Sequence, residues 1–119
     1  MIRSVRQALD GILWAFRTQR SLRIQLVIGL VVAGTAITVR VTLVEAALLV
    51  SASVLVITLE LMNTVIEAAC DEITTERRDS IRRIKDVAAG AVAFAALGSI
   101  AIGILVFGHY LANAVLAGK

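Results

Sequence analysis

Three long stretches of this 119-residue chain carry almost no charge, and they limit its fold more than any other feature does. Ile24 to Val39 has Gln25 as its only strongly polar side chain, and neither Ala46 to Leu59 nor Val87 to Gly108 contains a charged residue. A helix rises about 1.5 Å per residue, so ~20 residues cross the ~30 Å of bilayer hydrocarbon. Leu22 lengthens the first stretch and Val41 to Val44 the second. A soluble chain of this size could not hide 59% apolar residues, and with no proline and 4% aromatics that content is Leu, Ile, Val and Ala. The pattern predicts an all-α membrane protein with transmembrane helices over about 22–39, 43–72 and 80–110, the latter two with cytoplasmic extensions.

Residues 1–20 follow a different pattern. Ile2, Val5, Leu9, Ile12, Leu13 and Phe16 fall within about 100° of one another at helical periodicity, with Arg3, Arg6, Asp10 and Arg17 elsewhere. This predicts an amphipathic helix lying in the membrane interface, with Trp14 at headgroup level. Arg3, Arg6, Arg17, Arg20 and Arg23 precede the first span, and Arg77, Arg78, Arg82, Arg83 and Lys85 separate the second from the third; the other side has Arg40 and Lys119. By the positive-inside rule the N-terminus and the 71–86 segment face the cytoplasm, while the 40–45 turn and the C-terminus face out. The first span is not followed by a clear small-x-small cleavage site, so it is expected to stay in the mature chain. No repeat, low-complexity tract or linker divides residues 1–119, which are expected to form a single unit.

Several function classes are excluded. One cysteine, Cys70, allows no intrachain disulfide, and one histidine, His109, allows no zinc site of ordinary Cys/His spacing. The net charge of +3 comes from arginines flanking apolar runs, without interleaved aromatics, which suits anionic lipid headgroups rather than nucleic acid. Lys85 and Lys119 are the only lysines, so a P-loop is impossible, and no strand pattern supports a Rossmann unit. Cys70, Met62 and Phe94 read as packing residues and His109 as an interfacial one, while Gly90, Gly98, Gly103 and Gly108 give the third span small faces for helix association.

The informative segment is Glu60 to Asp71, which continues the second span past its apolar run. Glu60, Asn63, Glu67 and Asp71 are spaced by three, four and four, which puts all four on one helix face. Glu60 should emerge near the inner boundary and Glu67 ~10 Å beyond it. Ionisable groups so placed are costly unless paired or solvated, and are functional candidates by default. Lys85 and Asp86 stand just before the third apolar run, after Ser80 as an N-cap, so Lys85 is expected near the level of Glu60. Acids that hold a divalent cation and a lysine that meets phosphate oxygens suit phosphoryl transfer. One alternative is a solvated helix extension whose acids are neutralised by the arginines of the following loop; another is a non-enzymatic three-helix membrane protein, for instance an assembly or proton-relay subunit, in which Glu60 and Lys85 merely pair. A relay would place its acids within a span, and a structural pair would not need Asn63 and Glu67 in register.

Glu60-Leu-Met-Asn63-Thr-Val-Ile-Glu67, Asp71, and Lys85-Asp86-Val-Ala-Ala-Gly-Ala-Val92 closely resemble the signature of the prokaryotic diacylglycerol kinase and undecaprenol kinase family. The leading amphipathic helix with Ala8 and Gly11, the three spans and Arg23 agree, so the resemblance covers nearly the whole chain. It implies a homotrimeric bundle in the bacterial inner membrane, with sites between protomers, that transfers the γ-phosphate of MgATP to a membrane lipid alcohol. By the same resemblance Glu60 is the general base. Asn63, Glu67, Asp71, Lys85, Asp86 and Gln19 contact ATP, Glu67 and Gln19 hold Mg2+, and Arg23 with Glu60 meets the lipid. The chain departs from the pattern at Thr18 to Gln25. Many members have Glu at the Gln19 position, Asn at Ser21 and His at Gln25, and Gln19 brings an amide oxygen without charge to the cation. Asn63-Thr-Val-Ile-Glu67 and Ala88-Ala-Gly-Ala-Val92 are nearer to the undecaprenol branch than to the diacylglycerol branch, which leaves both lipids as candidate substrates.

Overall fold

A computed structural model of the protein describes residues 2–118; Lys119, counted above on the outer side, lies outside them. Four helices make up the described chain: α1 (Ile2–Thr18), α2 (Arg20–Val39), α3 (Leu43–Ile73) and α4 (Asp79–Ala117). The last three are long and apolar enough to cross a membrane, as their hydropathy predicts. The ends agree with the sequence reading to within two residues except at α4, which runs on to Ala117.

α1 presents Val5, Leu9, Leu13 and Trp14 on an exposed surface and buries Ala15. Its end is built locally. The Thr18 hydroxyl donates to the Trp14 carbonyl at 2.9 Å, and Gln19 is a single extended residue between α1 and α2. From the next turn, Arg23 Nη1 donates to the carbonyls of Phe16 (3.1 Å) and Arg17 (2.8 Å), occupying acceptors that a helix C-terminus leaves free and placing a cation at its negative end. One arginine thereby straps the surface helix to the first span.

The α2–α3 turn takes three residues. Arg40 adopts the left-handed region (φ 62°, ψ 57°), and the N–H groups of Arg40 and Val41 both return to the Ala36 carbonyl, a Schellman-like stop made here without glycine. Thr42 then opens α3 with a capping box: its hydroxyl accepts from the Glu45 N–H (3.2 Å), and the Glu45 carboxylate accepts from the Thr42 N–H (2.9 Å). At the other end of the hairpin α4 starts from Arg78 with no side-chain cap, so Ser80 lies inside the helix and is not its N-cap. Asp79 in the first turn supplies the favourable negative charge instead.

α3 packs along most of α4 and less extensively against α2. Because α3 returns antiparallel, α1, the start of α2, the end of α3 and the start of α4 all gather at one end of the molecule. At the far end Tyr110 donates to Glu45 Oε1 (2.5 Å), and His109 Nε2 meets Glu45 Oε2 at 2.8 Å. An ionised carboxylate only accepts, so that imidazole nitrogen carries the proton. His109 is thus a partner of α3 rather than only an interfacial residue. Elsewhere the spans are lightly covered: 6%, 22% and 6% of their most apolar windows are buried, so most of the apolar surface faces outward.

Candidate active site

The stripe foreseen on α3 is present, and burial divides it. Glu60 is 8% exposed and faces the first turn of α2, where the Ser21 hydroxyl donates to Glu60 Oε2 at 3.1 Å. One turn on, Thr64 is buried and its hydroxyl donates to the Glu60 carbonyl at 2.9 Å. Asn63 is half-buried, and its Oδ1 is shielded from solvent with no hydrogen-bond partner among the described residues. A shielded amide oxygen without a donor costs free energy unless a cation or a donor comes to it. Glu67 is half-buried and Asp71 is exposed. Solvent access therefore rises along the face from Glu60 to Asp71.

Lys85 is not at the level of Glu60. Its Nζ donates to Asp71 Oδ1 at 2.7 Å, with the Glu67 carboxylate acting on it from further off. Asp71 lies three turns beyond Glu60, ~16 Å along α3. The register of α3 against α4 sets this separation. Leu59 shares a cleft with Ala91, Phe94 and Ala95, so the residues of α4 beside Glu60 are apolar, and Lys85 lies well beyond them. The expectation took the two helices to leave the membrane in step with their apolar runs, whereas α3 carries its acids along its whole extension. The paired Glu60 and Lys85 of the non-enzymatic alternative is likewise not formed; the partners are Ser21 and Asp71.

At the tip of the hairpin, Asp71, Arg77, Arg78, Arg82 and Lys85 line a cleft of about 340 Å³. The sequence reading gave these arginines a topological role alone. Their spacing around a five-residue loop was the available signal that they converge. Arg78 also reaches Glu76 at 3.5 Å, an exposed contact of little energetic consequence. Asp86 is exposed and, being consecutive to Lys85, points ~100° away from it around α4. Gln19 is half-buried in the break between α1 and α2, at the same end of the molecule. Arg23, which the resemblance assigns to the lipid, has Nη1 engaged on the α1 carbonyls.

Among the described residues no group of three or more His, Cys, Asp or Glu is placed to hold a metal ion by itself. Magnesium does not require one: it keeps several waters and takes one or two carboxylates together with substrate phosphates. Glu67, with the Asn63 amide oxygen one turn away, fits that mode, in which the cation arrives on the nucleotide.

The family described as Prokaryotic diacylglycerol kinase matches residues 6–107. A Synechocystis sp. protein named diacylglycerol kinase is 37% identical over 101 residues, covering 84% of this chain and 58% of that protein, so the chain spans little more than half of that relative's length. A Haemophilus influenzae protein of the same name is 30% identical over 109 residues, covering 90% of this chain and 92% of its own length. With the family match running from within α1 almost to the end of α4, the chain belongs to the prokaryotic diacylglycerol kinase family.

Proposed function

We propose that this protein is an integral-membrane lipid kinase that transfers the γ-phosphate of MgATP to the hydroxyl of a lipid alcohol. The observation that carries the reading is the graded face of α3: a buried carboxylate at the level where α2 begins, followed outward by a shielded amide oxygen without a partner, a second carboxylate and a lysine-paired third. Glu60 is the general base in this reading, within reach of a hydroxyl that stays at the membrane boundary. As the lipid oxygen bonds to the γ-phosphorus, the bond from that phosphorus to the β–γ bridging oxygen breaks. ADP leaves with the electron pair, and the hydroxyl proton passes to Glu60. Glu67, Asn63 and Gln19 would hold the magnesium that accompanies the nucleotide, and that ion would supply neutralisation of charge on the transferring group. Lys85 and the arginines at the hairpin tip take the polyphosphate, with Asp71 and Asp86 as further polar members, and Arg23 meets the lipid headgroup.

The assembly in this reading is a homotrimer with sites between protomers. Its support is the scant cover on the three spans, together with the ~16 Å that separates Lys85 from Glu60 along one chain. The N-terminus and the hairpin tip lie in the cytoplasm, on the side where the arginines collect. Undecaprenol is favoured over diacylglycerol on the two motifs that lean to that branch, although both relatives above are named diacylglycerol kinase. The test is to incubate the purified protein with labelled ATP and vesicles carrying undecaprenol, diacylglycerol or neither. Label in undecaprenyl phosphate is the expected result. Label in phosphatidic acid alone would reverse the substrate preference, and no lipid label in any vesicle would leave the non-enzymatic reading standing.

A further inference from the structure

The hydrogen bond from Ser21 to Glu60 plays no part in the mechanism above, yet it supplies something a base in that position needs. A glutamate side chain turns about three bonds, and only some of its rotamers present an oxygen to a fixed acceptor. At Glu60 the choice is narrowed from a neighbouring helix. Ser21 Oγ lies 3.1 Å from Oε2, whereas Oε1 has no hydrogen-bond partner among the described residues. Glu60 is 8% exposed while Ser21 is exposed, so the hydroxyl meets the buried carboxylate from the open side of the contact. Ser21 sits in the first turn of α2, directly after the Gln19 break, and Arg23 holds that turn against the end of α1. The donor is therefore anchored independently of the carboxylate it meets.

We infer that Ser21 is a positioning residue for the transfer: its hydroxyl fixes Glu60 Oε2 so that Oε1 is the oxygen presented to the lipid hydroxyl. This rests on the reading of Glu60 as the base, and it adds the element that sets that base's direction. Ser21 contacts neither nucleotide nor lipid in this account, so its loss is felt in turnover rather than in binding.

The test compares Ser21→Val with Ser21→Thr, which have the same shape and differ only in the hydroxyl, using assembled protein in lipid vesicles. Ser21→Val is expected to lower kcat about tenfold, because the carboxylate is no longer held in the orientation that presents Oε1 to the hydroxyl, while KM for ATP and for the lipid stays within about twofold. Ser21→Thr is expected to keep kcat within about threefold of the parent. Ser21→Ala, which adds no bulk, should repeat the Val result and guards against a packing defect. Equal kcat in the Val and Thr proteins, or a loss confined to KM, overturns the inference. Glu60→Gln separates the two levels: wild-type turnover in that variant removes the base itself, whereas an inactive Glu60→Gln beside equal Val and Thr proteins removes only the role of Ser21.

Discussion

The far end of the bundle offers a stability experiment that does not depend on the chemistry. The Glu45 side chain is 18% exposed and takes part in three hydrogen bonds: it accepts from the Thr42 N–H at 2.9 Å, from Tyr110 at 2.5 Å and from His109 at 2.8 Å. The last two bonds run from α4 to α3 and hold the open end of the hairpin. Helix-to-helix hydrogen bonds in membrane bundles average ~0.6 kcal/mol and reach ~1.7, while a lost capping interaction costs ~1 kcal/mol. Placing the two cross-helix bonds near ~1 kcal/mol each, since their acceptor is charged, gives ~3 kcal/mol for Glu45→Ala. Tyr110→Phe, which removes one bond and leaves the cap intact, should cost ~1 kcal/mol. The measurement is reversible unfolding by SDS titration in mixed micelles, followed by far-ultraviolet circular dichroism. Combined with Tyr110→Phe, Glu45→Ala should show a coupling of ~1 kcal/mol, because the second substitution removes a bond already lost. Glu45 lies ~22 Å along α3 from Glu60, so lipid kinase turnover at low temperature should be unchanged. A Glu45→Ala protein within ~0.5 kcal/mol of the parent, or no more destabilised than Tyr110→Phe, would refute the reasoning.

Three further outcomes are expected. Mixing Glu60→Gln chains with Lys85→Ala chains should restore part of the activity that each lacks alone, measured as lipid phosphate formed; no recovery in well-assembled mixtures would place the whole site in one chain. Gln19→Glu should lower the magnesium concentration needed for half-maximal turnover, with Glu67→Gln inactive at every concentration; an unchanged magnesium dependence would take residue 19 away from the cation. Arg40→Gly should raise stability by about 1 kcal/mol, because glycine occupies the left-handed region without the steric penalty of a Cβ; a lower unfolding midpoint would show that the arginine side chain contributes more than its backbone strain.

The parts of this architecture visible in the sequence were those that repeat along a single helix. Hydropathy placed three spans, and the spacing of Glu60, Asn63, Glu67 and Asp71 placed four polar groups on one face, because a helix converts spacing into direction. Pairings between helices were not visible, since they depend on the register of one helix against the next. Lys85 was for that reason expected beside Glu60 and is found on Asp71, and the Glu45, His109 and Tyr110 contacts were missed. A usable signal was available: Glu45 and His109 are equally distant from Arg77 in the hairpin loop, and counting outward from that loop aligns α3 with α4. The same count brings Lys85 to the last turns of α3. The Ser21 contact had no such signal, because α2 and α3 cross over a shorter length and nothing in the α2 sequence fixes which of its faces meets Glu60.

The parity of the spans also limits how a gene for this fold can grow. α2 leads away from the end where α1 lies, α3 comes back and α4 leaves again, so the helical path finishes on the opposite side of the membrane from where it starts. Two copies fused head to tail would insert in opposite senses, unless the joint carried an additional crossing, and the second copy would display its acidic face to the wrong compartment. Gene duplication and fusion, a common route from an oligomer to a single polypeptide with internal symmetry, is therefore obstructed for a three-span unit. Copies that stand side by side with the same orientation have to be inserted as separate molecules and find one another within the bilayer.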